Sequence, residues 1–213
     1  MTPVSEAKTT IARRAAAELK NGDIVNLGIG VPTLIPPFLE DRSIYLHTEN
    51  GLLGVGPPPD RDAVDTDLID AGKQPVTITA GASFFSSADA FAMIRGGHID
   101  ATVLGALQVS EGGDLASWAV PGRDVLGVGG AMDLVVGAKR VIVATTHRDS
   151  RGGSKLVPEC TYPLTARGAV DVVITELAVF DISDGELTLR ELQPGVTLDE
   201  VAAATDAPFV SAL

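Results

Sequence analysis

The stretch HTENGLLGVGPPP, residues 47–59, places a carboxylate between an apolar run and a segment rich in glycine and proline. Glu49 lies two residues past the end of SIYLH (43–47), a strand-like run, so its side chain can project into a cleft. Asn50 can donate from its side-chain amide, and Gly51 permits a tight turn. A catalytic nucleophile and a solvated loop acid would both be written this way. For an arbitrary glutamate the solvated acid is the usual case.

Other candidate groups narrow the chemistry. Three glycine-rich turns, NLGIGVP (26–32), ENGLLGVGPPP (49–59) and LGVGGAMD (126–133), follow or flank strand-like runs. Glycine there lets backbone amides come close to a ligand, although turn geometry alone would also explain each one. NLGIG is half of a dinucleotide fingerprint, but it lacks the third glycine and Pro32 intrudes; a Walker lysine motif is absent. His47, His98 and His147 have no HxH or HxxxH spacing, so they read as structural or surface residues and no metal is assigned. Cys160 is the sole cysteine, which excludes an internal disulfide and a thiolate cage. Ser83 in GASFF lacks the second glycine of a nucleophile elbow and reads as a turn residue or the start of a helix.

These residues have to be positioned by a folded core. The 213 residues are 45% hydrophobic and only 4% aromatic, which fits one domain over 1–213 with an aliphatic sheet buried on both faces. A net charge of −12 with no long Lys/Arg cluster argues against nucleic acid. The same field repels any anionic ligand, which would need a local positive pocket or a partner's help. MTPVSEAKTTIARR has no apolar signal-like region, and no run approaches the length of a membrane span. The expectation is a cytoplasmic protein with no membrane partner.

Residues 5–21 have Ile11, Ala15, Ala16 and Leu19 on one face of an opening helix, with Gly22 as its stop. DIVNLGIG (23–30) reads as a buried strand running into a glycine turn, and Pro32 suits the helix that follows, which Pro36–Pro37 should distort. SIYLH (43–47), PVTIT (75–79), ATVLGALQV (101–109) and RVIVATTH (140–147) read as further strands. SSADAFAMIRGG (86–97) carries a Ser86-x-x-Asp89 cap. Strands alternating with helices predict an α/β fold: an open, mainly parallel sheet with helices on both faces. VDVVIT, LAVFDI and ELTLREL, with a turn at Ser183–Gly185, predict a C-terminal antiparallel hairpin or small appended sheet. Thr197-x-x-Glu200 caps a short closing helix.

With these motifs in order, the chain resembles the β subunit of the 3-oxoacid coenzyme A-transferases, a group that includes succinyl-CoA:acetoacetate and 3-oxoadipate CoA-transferases. The family signature is a Ser-Glu-Asn-Gly box followed by two aliphatic residues and a glycine; here it stands as HTENGLLG, with Thr48 keeping the hydroxyl. NLGIGVPT, DLIDAGKQPVTITAGASFFSS, FAMIRGGHIDATVLGALQVS, GDLASWAVPG and GVGGAMDLV continue the match from residue 8 to about residue 200. The Pro36–Pro37 pair departs from the pattern, and only local effects are expected.

The resemblance implies a CoA-transferase-like fold and a ping-pong mechanism with Glu49 as nucleophile, through an acyl–glutamyl anhydride and a glutamyl–CoA thioester. It implies the Gly130 amide as an oxyanion donor, an effect worth about 2.7–4 kcal/mol per donor. Asn26 and Lys73 match positions lining the family's site: Asn26 for a substrate carbonyl or the pantetheine arm, Lys73 for an acid or a CoA phosphate. Asn50 joins this set, and Gly28, Gly30, Gly54 and Gly56 would let the backbone close around a thioester. No permanently bound cofactor is implied, since the CoA thioester is the substrate. The family's site lies between two halves, so an α partner of similar fold is implied, in an α2β2 assembly. The acceptor stays open among acetoacetate, 3-oxoadipate and a short-chain fatty acid. A non-enzymatic ligand-sensing domain and a phosphosugar isomerase on a related fold are the competing readings. The first would not need the glutamate box, and the second would need an acid/base and phosphate constellation that the sequence does not show.

Overall fold

A computed structural model describes residues 5–39, 43–70, 72–122 and 127–213. In chain order the first half comprises α1 (Glu6–Ala16), β1 (Ile24–Leu27), β2 (Tyr45–Thr48), β3 (Leu52–Val55), β4 (Ile78–Phe84), α2 (Ser87–Arg95), β5 (Ala101–Leu104) and β6 (Gln108–Ser110). The second half comprises β7 (Leu115–Ala116), α3 (Ala131–Gly137), β8 (Val141–Ala144), β9 (Leu156–Val157), β10 (Val172–Ile174), β11 (Ala178–Ser183), β12 (Glu186–Leu192), α4 (Leu198–Ala204) and β13 (Val210–Ser211).

Ten of the strands form one sheet in the order β13-β12-β11-β10-β8-β5-β1-β2-β3-β4. Its middle, β10-β8-β5-β1-β2, is parallel throughout. Antiparallel strands flank it on both sides: β3 and β4 beyond β2, and β11 and β12 beyond β10. The parallel strands are the short, continuously apolar ones, such as ATVL and VIVA, and every residue in these two is buried. Alternate side chains serve opposite faces. Val141 and Val143 join a cluster with Ile94 of α2, Leu134 of α3 and Val201 of α4. Ile142 and Ala144 join one with Ile11, Ala12 and Ala15 of α1. The expected open sheet with helices on both faces is therefore present.

The local signals work as read in several places. Ser86 and Thr197 cap α2 and α4, the latter as a full capping box with Glu200, and the structure adds Ser5 as the cap of α1. Beyond the last turn of α1, Glu18 accepts hydrogen bonds from Arg14 at 2.8 Å and Arg190 at 2.6 Å, and it also pairs with Arg140. Burial pushes its pKa up, but the bonds from Arg140 and Arg14 outweigh this and hold it below the ordinary value. This knot ties α1 to the sheet.

Elsewhere tertiary pairing overrides the local reading. LLGV, read as part of a glycine turn, is strand β3, because its edges are claimed by β2 on one side and β4 on the other. The strand expected at 75–79 runs instead over 78–84, so Ser83 lies inside it, opposite Leu53, and not in a turn. ATVLGALQV is two strands: the chain leaves the main sheet at Gly105, and β6 pairs with β7 and β9 in a separate three-stranded sheet. The helix expected after NLGIG is reduced to two 3-10 turns, Val31–Leu34 and Pro36–Phe38, as the two prolines dictate. The C-terminal hairpin extends the main sheet and is no separate appendage.

His147 sits at the carboxyl end of β8, fully buried, between the hydroxyls of Thr175 (3.0 Å) and Thr205 (2.9 Å). It thereby joins β8, β10 and the end of α4. Burial, helped by the Arg148 charge, pushes its pKa down from 6.5 to about 4. Between these two pH values the unfolded chain takes up a proton that the folded chain refuses. Stability from this source is complete above about pH 6.5 and is lost as pH falls toward about 4. In urea unfolding across this range, His147→Gln should flatten the pH slope relative to wild type, by up to about 3 kcal/mol in total.

Candidate active site

Because β1, β2, β5 and β8 are parallel, their carboxyl ends share one edge of the sheet, and the residues just past those ends converge. Glu49 follows β2, Gly28 follows β1 and Gly105 follows β5. All three line a cleft of about 480 Å³, with Trp118 and Gly130 on its other walls.

The turn that aims Glu49 is built by its neighbours. Gly51 has φ +112, and a Cβ there would collide with the Phe85 carbonyl, whose residue also donates its amide to the Gly51 carbonyl at 3.0 Å. No other residue fits that close approach without displacing β4. Asn50 accepts from the Thr48 hydroxyl and donates to the Ile69 carbonyl at 2.9 Å. Both of its side-chain groups are thus used to fix the turn, and it does not line the cleft.

Glu49 is half-buried, and its Oε2 accepts a hydrogen bond of 3.0 Å from Nδ2 of Asn26. The same Nδ2 lies 3.3 Å from Nδ1 of His47. An amide nitrogen only donates, so Nδ1 is the acceptor, and the neutral ring carries its proton on Nε2. Asn26 and His47 are 1% and 2% exposed, so neither has solvent as a substitute partner. Burial lowers the His47 pKa, opposed in part by the Glu49 charge. The ring stacks on Phe85 with centroids 5.8 Å apart. Among the described residues, Asn26 Oδ1 and His47 Nε2 are buried without a hydrogen-bond partner.

Gly130 caps α3 and packs directly on the nucleophile candidate: a Cβ there would lie 3.5 Å from Glu49 Cγ and 3.2 Å from Phe91 Cζ. At the start of that helix the first backbone amides have no intrahelical acceptor. Gly28 has its amide bonded to the Val103 carbonyl at 2.8 Å, and a side chain there would strike Leu104. Glu49, Asn26, Gly28 and Gly130 therefore come together.

The other predicted residues lie apart from the cleft lining. Gly30, φ +101, opens the first 3-10 turn with free space around it. Gly54, φ +94, sits where β3 and β4 shift register, and a Cβ there would meet Thr79 and Ala82. Gly56 borders a second, mainly apolar cavity of about 430 Å³ that also touches His47 and Thr48. Lys73 is exposed on a turn closed by its own amide to the Asp70 carbonyl at 3.0 Å and lines neither cavity. Among the described residues no cluster of His, Cys, Asp or Glu could hold a metal ion.

From spacing alone His47 reads as a structural or surface residue, whereas the structure puts it beneath the carboxylate. The available signal was the spacing His47-x-Glu49, which places both on one side of an extended segment, with Asn26 as the polar residue in the otherwise apolar IVNL. Trp118, which lines the cleft and donates from Nε1 to the Leu164 carbonyl at 3.2 Å, had only its place in the GDLASWAVPG motif as a signal.

A carboxylate backed by an amide at the carboxyl edge of a parallel sheet, with a glycine-lined space before it, suits attack on an acyl group. The sequence comparisons agree with that reading: the coenzyme A transferase family model matches residues 8–204, and the chain belongs to this family as a CoA-transferase β-subunit chain, part of an enzyme that transfers CoA. It is 53% identical over 202 residues to one of the subunits of the succinyl-CoA:3-ketoacid coenzyme A transferase of Helicobacter pylori, a match covering 95% of this chain and 98% of that one. It is 52% identical over 205 residues to the acetate CoA-transferase subunit beta of Escherichia coli K12, covering 96% and 94%. Acyl-CoA transferase YdiF of Escherichia coli O157:H7 superposes on the whole chain with a TM-score of 0.79 at 22% identity. The chain spans 43% of that protein's length, and at this identity the likeness speaks for the fold.

His47→Phe keeps a ring against Phe85 and removes the acceptor for Asn26. CoA transfer by the assembled enzyme should fall about tenfold, with little change in thermal unfolding. In the wild type, protonating His47 below its ordinary value of 6.5 sets an N–H against the Asn26 amide. The wild type should therefore lose rate on the acid side of a pH profile, and the variant should lack that component.

Proposed function

We propose that this chain supplies the nucleophile for transfer of CoA from succinyl-CoA to a 3-oxoacid, acetoacetate or 3-oxoadipate. The observation that carries the reading is the Glu49 carboxylate, fixed through Oε2 by Asn26 and facing a cleft against Gly130. The other oxygen, Oε1, has no hydrogen-bond partner among the described residues and is the one presented for attack.

The sequence of steps balances without any further reagent. Oε1 attacks the thioester carbonyl; the C–S bond breaks, and CoA leaves as a thiolate, giving an acyl–glutamyl anhydride. The thiolate attacks the glutamyl carbonyl and expels the donor acid as its carboxylate, leaving a Glu49–CoA thioester. An acceptor carboxylate then attacks that thioester, and the released thiolate takes the acyl group, restoring Glu49. Each attack puts negative charge on an oxygen. The Asn26 amide is placed for the glutamyl oxygen, and the Gly130 amide is assigned to stabilise the tetrahedral oxyanion. A carboxylate is a weak nucleophile toward a thioester, so binding of the long CoA chain has to force the two together.

We also infer an α partner, with α2β2 as the assembly. Strand β4 is a sheet edge exposed along nearly its whole length, with Phe84 61% exposed, while Ile29 at the cleft is 72% and Val136 on α3 is 80% exposed. Apolar side chains around a half-open cleft suit coverage by a second chain. On this reading the enzyme is cytoplasmic and serves ketone-body or aromatic-acid metabolism.

With the α partner and succinyl-CoA, the Glu49 peptide should gain the mass of CoA less water; an adduct elsewhere, or none while transfer proceeds, would sink the mechanism. Glu49→Ala should fold normally and abolish transfer in the same assay, whereas appreciable turnover would contradict a covalent role. Offering acetoacetate, 3-oxoadipate and a short-chain fatty acid to the thioester form identifies the acceptor.

A further inference from the structure

Across β5, β1 and β2, Thr102 is level with Asn26, and Asn26 with His47, in parallel register. Residues level with one another in a sheet turn their side chains to the same face. That face is the one under the cleft. Val25, Leu46, Ala101 and Val103, which alternate with these three residues, belong to the α1 cluster. Leu104, two residues on from Thr102, instead joins Ile94 and Leu134 and lines the cleft with Glu49. A row of three polar side chains, 0%, 1% and 2% exposed, therefore crosses three strands of an otherwise aliphatic sheet.

Each member of the row keeps one polar atom without a hydrogen-bond partner among the described residues: Thr102 Oγ1, Asn26 Oδ1 and His47 Nε2. Only one other buried side-chain atom there, Arg190 Nε, lacks a partner. Burying a polar atom unbonded is costly, so three of them side by side call for an explanation. For Thr102 the cost is easily avoided, because valine has the same shape and the rest of ATVL is apolar and buried. The hydroxyl is therefore the feature to account for.

Thr102 and Asn26 are chemically complementary. Nδ2 of Asn26 is taken up by Glu49 Oε2 at 3.0 Å and by His47 Nδ1, on the β2 side, at 3.3 Å. An amide whose nitrogen faces β2 carries its oxygen toward β5, where the Thr102 hydroxyl can donate. Main-chain bonds hold this pairing on both sides: the Asp100 amide donates to the Ile24 carbonyl at 2.8 Å, and the Gly28 amide to the Val103 carbonyl at 2.8 Å. Neighbouring strands lie about 4.8 Å apart, which is the span of two hydrogen bonds meeting at one water.

We propose that Thr102 is a positioning residue for Glu49. Its hydroxyl donates to one buried water, which in turn donates to Asn26 Oδ1 and so fixes the amide that holds the carboxylate. Turned end for end, that amide would set Oδ1 against Glu49 Oε2 and leave His47 Nδ1 without its donor. His47 opposes the turn from β2, and Thr102 opposes it from β5. As an aid to catalysis this rests on Glu49 being the reacting group; as a bridged polar row it stands without it.

A crystal structure of the enzyme assembled with its partner should show one water within about 3.2 Å of both Thr102 Oγ1 and Asn26 Oδ1. In single turnover with succinyl-CoA, Thr102→Val should slow adduct formation on the Glu49 peptide about five- to tenfold, with half-saturation by the donor changed less than about twofold. Thr102→Ser, which keeps the hydroxyl, should stay within about twofold of the wild-type rate. No bridging water, a wild-type rate in Thr102→Val with only its thermal unfolding changed, or equal slowing in both variants would each overturn the proposal; the last outcome would assign the effect to packing of the methyl group. A missing Glu49 adduct with the water in place removes the transfer mechanism and leaves the row. An adduct that forms at full rate in Thr102→Val removes the positioning role alone.

Discussion

The register between β1 and β2 is the constraint on which the site depends. Asn26 pairs with His47 across these parallel strands, and Glu49 stands one residue past the end of β2. Only in this register does one amide reach both the imidazole and the carboxylate. A shift by one residue would turn Asn26 to the other face of the sheet and bury a polar side chain in the α1 cluster. The apolar residues on either side of Asn26 oppose that slip, since Val25 belongs to this cluster and is fully buried. Packing of ordinary aliphatic residues thus sets the position of the candidate nucleophile.

The same edge of the sheet explains why acid chemistry can occur in an acidic chain. The carboxyl ends of four parallel strands deliver a carboxylate and two glycines that keep the cleft open. Long-range repulsion from the net negative charge acts on any anion approaching in water. Inside the cavities the effective dielectric is lower, and near groups dominate. Glu18 shows the structural side of this rule, with three arginines gathered around one half-buried carboxylate far from the reacting edge.

Much was legible in the linear chain because it depends on local chemistry. Caps at Ser86 and Thr197, the apolar runs ATVL and VIVA, and the Ser183–Gly185 turn produced the elements they announce. What misled was pairing between distant segments. LLGV looks like a turn by its glycine, yet it lies between two partners that satisfy its backbone groups, and Gly54 takes up the shift of register there. ATVLGALQV looks continuous, but Gly105 lets the chain leave one sheet for another. Neither event has a counterpart in residue type alone.

By itself the sequence determined the fold class and the family and singled out Glu49 as the candidate nucleophile, because apolar periodicity and the ordered HTENG, NLGIG and GVGGAMD motifs are properties of neighbours along the chain. The tertiary structure alone decided which of those residues meet. It set His47 under Glu49 through Asn26, put Gly130 against the same carboxylate, and left Lys73 outside the cleft. The physical reason is that hydrogen bonds and charges act over a few ångströms, and only closure of the sheet makes residues far apart in sequence neighbours at that distance.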